Sequence, residues 1–312
     1  MPLYVDFPSW ISPVLIPGLP LRWYSFMYLV AFAITFLLFR YQQKKTALAY
    51  SGDDLYSLFL YAIVGLLLGA RLGSTLLYEG SSYYWRHPHL IFWPFRNGQF
   101  IGLPGMSYHG GLVGVVVGVA LFCRSYKKDF FETADALTAA IPLGYTFGRL
   151  GNFINGELWG RVSTVKWAMV FPDAPRFSTN YAWVRSIADA LGIEYGSAAL
   201  LNLPRHPSQL YEALFEGVVL WLFLWFFIRK RKRYSGQTTA WYLIGYAVVR
   251  FFIEYVREPD PQLGFAIAWG RQKEPTALFL SLLNISMGQL LCILMLVAGV
   301  VLLLFRKRKQ HR

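Results

Sequence analysis

The sequence predicts an all-α integral membrane protein with seven transmembrane helices and a small extracytoplasmic cap, and three observations support this. Of the 312 residues, 55% are hydrophobic and only 15% are charged, whereas soluble domains carry about a quarter charged residues. Seven stretches are long and apolar enough to cross the roughly 30 Å hydrocarbon core as helices. Lys and Arg concentrate in alternate links between these stretches, as expected for cytoplasmic loops.

The predicted spans follow one another along a chain that we expect to form one transmembrane domain, residues 1–312. The fourth span is the weakest, because Pro142 and several glycines interrupt it. The seven spans are Trp23–Phe39, Leu55–Tyr78, Met106–Cys123, Phe131–Phe153, Ser208–Ile228, Thr238–Tyr255 and Met287–Phe305.

The basic residues orient these spans. The links after spans 1, 3 and 5, together with the C-terminal tail, hold more than half of the 30 Lys and Arg residues. Positive charge in short loops marks the cytoplasm, so the N-terminus is predicted outside and the C-terminus inside. Residues 156–207 then form an extracytoplasmic insertion, the cap, between spans 4 and 5. A cytoplasmic location of the basic runs beside the spans explains the net charge of +13 better than nucleic-acid binding does.

Three arginines, Arg71, Arg149 and Arg250, fall inside predicted spans. Each costs about 2.5–3.5 kcal/mol at a helix centre. The orientation and the 1.5 Å rise per residue place all three in the outer half of the bilayer. Other ionisable residues inside the spans or at their ends are His109, Asp135, Glu157, Glu212, Glu216 and Glu254.

Two explanations are open for this layer of arginines. Structural ion pairs are one, since Arg250 and Glu254, like Glu212 and Glu216, stand four residues apart and share a helix face. An anionic ligand is the other, and we favour it because ionisable residues inside a membrane usually serve function. A guanidinium offers parallel donors to phosphate, which at this depth indicates a phospholipid head group.

Three motifs carry most of the remaining polar residues near span ends. In the stretch from Gly144 to Arg161, close helix packing explains Gly144 and Gly148. It does not explain the polar residues interleaved with them, which are Arg149, Asn152, Asn155 and Glu157. The second motif runs from Gly105 to Leu112, and its His109, at a span entrance, can be a base, a proton shuttle or a structural residue. The third motif runs from His206 to Glu212. Helix capping explains Ser208 in this motif, but not Glu212.

Taken together, these motifs resemble those of bacterial prolipoprotein diacylglyceryl transferases. The run Gly148-Arg-Leu-Gly-Asn-Phe-Ile-Asn-Gly-Glu-Leu-Trp-Gly160 is similar to the family signature almost throughout. Four further stretches match in order: Met106-Ser-Tyr-His-Gly-Gly-Leu112, Arg205-His-Pro-Ser-Gln-Leu-Tyr-Glu212, Tyr246 to Arg257, and Ser286-Met-Gly-Gln289. One departure is Pro261–Ile285, which is longer than usual in the family.

The resemblance implies transfer of a diacylglyceryl group from phosphatidylglycerol to a prolipoprotein cysteine, with release of glycerol phosphate. The expected partners are phosphatidylglycerol, the bacterial inner membrane and a signal peptide with its lipobox cysteine, with the enzyme as a monomer. No metal and no cofactor are expected. The functional residues of the family fall on Tyr24, His109, Arg149, Asn152, Glu157, Gly160, Tyr246, Arg250 and Glu254.

The predicted chemistry divides the candidate residues into two groups. A thiol needs a base to ionise near neutral pH, and His109 is the candidate, with water, Glu254 or Glu157 as alternatives. Arg149 and Arg250 would stabilise the leaving phosphate. The catalytic group is therefore His109, Arg149, Arg250 and Glu254. The predicted substrate-binding group is Tyr24, Arg71, Asn152, Glu157, Gly160, Glu212 and Tyr246.

Other functions fit the sequence less well. A transporter or lipid scramblase predicts polar residues through the full membrane depth and often an internal repeat, and the sequence has neither. An intramembrane protease would need a nucleophile and a base from a second set of residues, and the sequence does not show such a set. A seven-span receptor would not require three arginines in one layer.

Overall fold

The structure is a computed structural model that describes residues 3–19, 21–45, 50–78, 82–96, 98–100, 102, 105–259, 264–269 and 275–310. These residues are mostly helical. The helices are α1 (Trp23–Lys45), α2 (Gly52–Gly73), α3 (Ser82–Arg86), α4 (Tyr108–Ser125), α5 (Phe130–Thr138), α6 (Ile141–Ile154), α7 (Ala182–Leu191), α8 (Ser208–Arg231), α9 (Gln237–Ile253) and α10 (Met287–Gln310).

Short strands add four two-stranded sheets within the described ranges. The pair β1–β4 is parallel, and the pairs β2–β3, β5–β6 and β7–β8 are antiparallel. The strands are β1 (Val5–Asp6), β2 (Phe95–Arg96), β3 (Gln99–Phe100), β4 (Met169–Val170), β5 (Phe177–Ser178), β6 (Leu200–Leu201), β7 (Phe265–Ile267) and β8 (Ile285–Ser286). The all-α prediction is confirmed only as a mostly helical fold.

Five helices in the described part of the chain are long and apolar enough to cross a membrane: α1, α2, α4, α8 and α10. They coincide with predicted spans 1, 2, 3, 5 and 7. The sixth predicted span is α9, which has 17 residues. The fourth is divided between α5 and α6. The structure therefore confirms several helices that are long and apolar enough to span a membrane, and the count of seven stays a prediction.

The division of the fourth predicted span has a clear local cause. Pro142 stands in the first turn of α6, where a residue without a backbone N–H is tolerated. The same residue would break the hydrogen-bonding pattern of a helix running through from Phe131. Close packing then holds α6 against α1, because a Cβ on Gly144 would lie 2.7 Å from the carbonyl oxygen of Ala31.

The chain divides into two compact units, which we call the first unit (residues 1–37 and 137–312) and the second unit (residues 38–136). In the second unit, α2 and α4 meet through glycine. A Cβ on Gly69 would lie 2.3 Å from the Gly110 carbonyl oxygen, and one on Gly65 would lie 2.2 Å from that of Gly114. Such spacing of small residues lets two helix backbones approach closely, as in membrane proteins. The single-domain count stays a prediction.

Residues 156–207, the predicted cap, belong to the first unit and carry their own hydrophobic cluster. Its buried members are Val162, Val184, Ala188, Leu201, Leu203 and Ala277. Because Ala277 comes from the long stretch Pro261–Ile285, that stretch helps to close the cluster. Residues 261–263 and 270–274 of the stretch lie outside the described residues.

Candidate active site

Glu212 on α8 lies at the centre of a buried group of ion pairs in the first unit. Its Oε2 lies 2.9 Å from Nε of Arg149, which comes from α6. Its Oε1 lies 3.0 Å from Nη1 of Arg250 on α9 and 3.2 Å from Nη1 of Arg257. The Glu212 side chain is 0% exposed, so a single carboxylate joins three arginines away from water.

Arg250 contacts three carboxylates. Besides Glu212, its Nη1 lies 3.4 Å from Glu216, and its Nη2 lies 3.1 Å from Glu254 one helical turn later. Glu254 also accepts a hydrogen bond of 3.1 Å from Oγ of Ser286, which precedes α10. These contacts hold the Arg250 guanidinium in one orientation.

Tyr145 links the two principal arginines of the network. Its hydroxyl accepts a hydrogen bond of 2.6 Å from Nε of Arg149 and donates one of 2.5 Å to Glu216. The Arg149 guanidinium also lies over the Tyr145 ring, 4.8 Å from its centroid. Tyr246 packs edge-on against the same ring at 6.1 Å, so it lies next to the network through Tyr145.

The network is balanced in formal charge. Arg149, Arg250 and Arg257 face Glu212, Glu216 and Glu254, three positive groups against three negative ones. The structural ion pairs left open by the sequence are therefore present, and charge alone does not require an external anion at Arg149 and Arg250.

One donor of Arg149 nevertheless makes no hydrogen bond. The hydrogen bonds and ion pair of Arg149 use Nε and Nη1, and within the described ranges Nη2 donates no hydrogen bond. Apart from its chain neighbours and its own helix backbone, no described group lies within 4 Å of the place where a Cβ on Gly148 would project. Helix packing thus explains Gly144 but not Gly148, and Arg149 keeps a donor that the protein does not use.

A chain of polar contacts continues from Arg149 to the end of α6. Nη1 of Arg149 donates to Oδ1 of Asn152 at 3.5 Å, and Nδ2 of Asn152 donates to Oε1 of Glu157 at 3.0 Å. The buried amide of Asn152 is thereby oriented by the two charged groups on either side. Arg149, Asn152 and Glu157, predicted separately from the motif, form one connected group.

Gly160 stands where two segments approach each other. A Cβ there would lie 2.4 Å from the Val256 carbonyl oxygen and 2.8 Å from the His206 carbonyl oxygen. Its N–H donates to His206 O at 2.8 Å. Backbone packing therefore accounts for this glycine without a contact to substrate.

Burial and, to a smaller extent, Arg161 lower the pKa of His206.

Tyr24 lies on α1, against the last turns of α6. Its Cα would be 3.5 Å from a Cβ on Gly151, and its hydroxyl shares a hydrogen bond of 3.0 Å with Tyr28. The ring is half-buried. A role in fixing a head group remains a prediction for this residue.

Two predicted residues, Arg71 and His109, belong to the second unit. Arg71 is buried, and its Nε donates to the Ile91 carbonyl at 2.5 Å. The side chain of His109 is exposed in the first turn of α4, which argues against a buried structural histidine. That Arg71 lies at the same depth in the bilayer as Arg149 and Arg250 stays a prediction.

Sequence reasoning missed three members of the network: Tyr145, Arg257 and Ser286. Tyr145 stands four residues before Arg149, so helical periodicity places both on one face, and this was the available signal. Arg257 and Ser286 lie in stretches that match the family motifs, but nothing in their local sequence indicates their acidic partners, Glu212 and Glu254.

Apolar helices long enough to cross a bilayer, together with a buried network of ionisable side chains, place this chain among integral membrane proteins with a polar site between helices. Residues 13–305 match the sequence profile of the family described as prolipoprotein diacylglyceryl transferase. The chain belongs to this family. It is a transferase of lipoprotein biosynthesis and a multi-pass inner membrane protein.

Named relatives agree with the profile over nearly the whole chain. A phosphatidylglycerol–prolipoprotein diacylglyceryl transferase of Treponema pallidum is 48% identical over 96% of this chain and 94% of its own length. The enzyme of the same name from Treponema denticola is 48% identical over 99% and 97%. That from Chlorobaculum tepidum is 44% identical over 97% and 92%.

Proposed function

We propose that this protein transfers the diacylglyceryl group of phosphatidylglycerol to the lipobox cysteine of a prolipoprotein signal peptide. A carbon–sulfur bond forms at the glycerol carbon while its bond to the phosphate oxygen breaks. The electron pair of that bond leaves with the phosphate, which is released as glycerol phosphate, and the thiol proton passes to a base. The observation that supports this most directly is the buried carboxylate of Glu212, which holds Arg149 and Arg250 together while Nη2 of Arg149 donates no hydrogen bond within the described residues.

In this proposal the ion pairs orient the arginines for the leaving group. Glu212 holds Arg149 and Arg250 from one carboxylate, so both guanidinium groups are in place before substrate binds. Preorganised donors of this kind stabilise charge that develops in a transition state. The developing charge here is on the phosphate oxygen. Asn152, Glu157, Tyr24 and Tyr246 would surround the head group.

A direct assay tests the proposal. Purified protein is incubated with phosphatidylglycerol and a synthetic peptide that contains the lipobox cysteine, and the peptide is analysed by mass spectrometry. We expect a mass increase equal to one diacylglyceryl group, absent when the cysteine is replaced by serine. Intact peptide after prolonged incubation with folded protein would contradict the proposal.

His109 is the proposed general base, and its pH response provides a test. We expect His109→Gln to lower turnover by about 10²–10⁴-fold, because Gln can replace a hydrogen bond but cannot accept the proton. The deficit should shrink as the pH rises towards the thiol pKa of about 8.5, since thiolate then forms without help. Turnover and phosphatidylglycerol binding are measured from pH 6 to 9.

The wild-type pH profile and the melting temperature of the variant are the controls for this test. A folded variant whose deficit stays constant with pH would exclude His109 as the base. Glu254, Glu157 or a bound water would then be the remaining candidates. Turnover equal to that of the wild type would exclude the role as well.

We also propose seven membrane crossings, with the N-terminus and residues 156–207 outside, the C-terminus in the cytoplasm, and the active site in the outer half of the bilayer. The distribution of Lys and Arg supports this orientation. The enzyme would act as a monomer.

Cysteine labelling in intact cells tests the orientation. A membrane-impermeant maleimide should modify Ser197→Cys in the cap and should leave Ser125→Cys, at the C-terminal end of α4, unmodified until the cells are opened. Both serines are exposed, so sidedness rather than burial decides the result. The native cysteines, Cys123 and Cys292, are buried, which makes the wild-type protein the background control. Labelling of Ser125→Cys alone would reverse the topology.

A further inference from the structure

The loop from Glu157 to Gly160 is tied to the start of α8 by two side chains. Nε2 of Gln209 donates to the Glu157 carbonyl oxygen at 2.6 Å, and Oγ of Ser208 donates to the Leu158 carbonyl oxygen at 3.0 Å. Both side chains are 0% exposed. Because the contacts are shielded from water, solvent cannot replace a donor that is removed, and a buried carbonyl left without a partner is costly.

Leu158 is held in an unfavourable backbone conformation by these contacts. Its φ is 57°, in the left-handed region, where the Cβ of an L-residue comes too close to the following carbonyl oxygen. The side chain is 41% exposed, so its own burial does not compensate. A strained residue of this kind persists only where its surroundings determine its conformation, and the two flanking hydrogen bonds do so here.

The loop carries a residue of the proposed active site. The carboxylate of Glu157 accepts a hydrogen bond from Asn152, which in turn contacts Arg149. A carboxylate that depends on a strained loop moves when the loop relaxes. Displacement of about 1 Å at a reacting site can lower the rate by about 100-fold.

We propose that Gln209 and Ser208 are positioning residues. They hold the Glu157–Gly160 loop in its strained form and thereby fix the Glu157 carboxylate against Asn152 and Arg149 during transfer. This inference rests on the proposed function for its kinetic consequence, but the hydrogen bonds and the strained backbone can be tested without turnover.

The test compares two amides that make the same kind of contact. Gln209→Met removes the donor to Glu157, and Asn202→Leu removes a similar donor, since Nδ2 of Asn202 donates to the Phe171 carbonyl at 2.7 Å elsewhere in the cap. Both variants should lower the melting temperature in detergent. Only Gln209→Met should also lower kcat/KM for phosphatidylglycerol, by about 10- to 100-fold per folded enzyme. Ser208→Ala should produce a smaller loss in the same direction.

Relief of the strain at Leu158 provides the second measurement. Asn adopts the left-handed conformation more readily than Leu, so Leu158→Asn should recover much of the kcat/KM lost in Gln209→Met. Its effect on the melting temperature should differ between the wild type and Gln209→Met, but should be the same in the wild type and in Asn202→Leu. A merely structural role of Gln209 in α8 would show no such selective rescue.

Each outcome decides one part of the inference. Independent effects of Gln209→Met and Leu158→Asn on the melting temperature would overturn the link between Gln209 and the strained loop. If the effects of Gln209→Met and Leu158→Asn on the melting temperature were coupled but kcat/KM were unchanged in Gln209→Met, the positioning role would be overturned. If Gln209→Met did not fold, the comparison would be made with Ser208→Ala and its Leu158→Asn combination. A wild-type enzyme that formed no adduct would contradict the proposed function, while the coupling of melting temperatures would still test the loop.

Discussion

Arg250→Ala is expected to abolish nearly all diacylglyceryl transfer while the protein still inserts into the membrane. Arg250 is held by Glu212, Glu216 and Glu254, and its charge would stabilise the departing phosphate. Loss of one preorganised donor lowers kcat by about 10²–10³-fold in other enzymes, and loss of a whole guanidinium should exceed this. The measurement is the initial rate of adduct formation on the lipobox peptide, normalised to folded enzyme.

Two further substitutions sharpen this result. Arg250→Lys should also fail substantially, because an ammonium cannot reproduce the planar guanidinium that spans several carboxylates. Arg149→Ala should show a comparable loss, since it removes the second guanidinium that Glu212 holds, including the unused donor Nη2. Arg185→Ala is the control, because Arg185 lies in the cap, where its Nη1 donates to the Thr179 carbonyl. Near-normal turnover of Arg250→Ala would contradict a role for Arg250 in stabilising the phosphate.

Glu212→Gln is expected to be the most destabilising conservative change in the network. It removes the carboxylate shared by Arg149, Arg250 and Arg257 and leaves excess positive charge in a buried place. Breaking one buried ion pair costs about 3–5 kcal/mol, which for a chain of this size lowers the melting temperature by about 5–8 °C. Thermal unfolding in detergent, followed by circular dichroism, measures the shift.

Two other glutamates provide the comparison for Glu212. Glu216→Gln should be milder, because Glu216 pairs with Arg250 alone and retains the contact with Tyr145. Glu194→Gln, at an exposed position of the cap, should leave the melting temperature unchanged. Equal melting temperatures for Glu212→Gln and Glu194→Gln would show that the central ion pairs contribute nothing to stability.

Local composition was sufficient to predict where the long apolar helices lie, but not the shorter helices α3 and α7. The predicted spans are helical in the structure, apart from a break in the fourth, because a long apolar stretch satisfies its backbone hydrogen bonds internally as a helix. Pro142 indicated the break. The strands were not predicted, because they are only two or three residues long, and some of them, such as β1 and β4, pair with a partner distant in sequence.

The candidate site was predicted as a set of residues rather than as an arrangement. The pair Arg250 and Glu254 follows from helical periodicity and is confirmed at 3.1 Å. From the sequence an anionic ligand was the favoured explanation for the arginines, whereas in the structure glutamates already neutralise Arg149 and Arg250. Within the described residues Nη2 of Arg149 donates no hydrogen bond, and this donor stays available to a phosphate.

The sequence by itself determined the membrane location, the helical class, the family and most of the ionisable residues, because these depend on composition, local periodicity and motif. Tertiary structure alone decided which charges pair, since Glu212 meets Arg149, Arg250 and Arg257 only after three segments pack together. It also decided the conformation of Leu158. Leucine has no local preference for the left-handed region, so its positive φ arises from the hydrogen bonds that Ser208 and Gln209 bring from a distant segment.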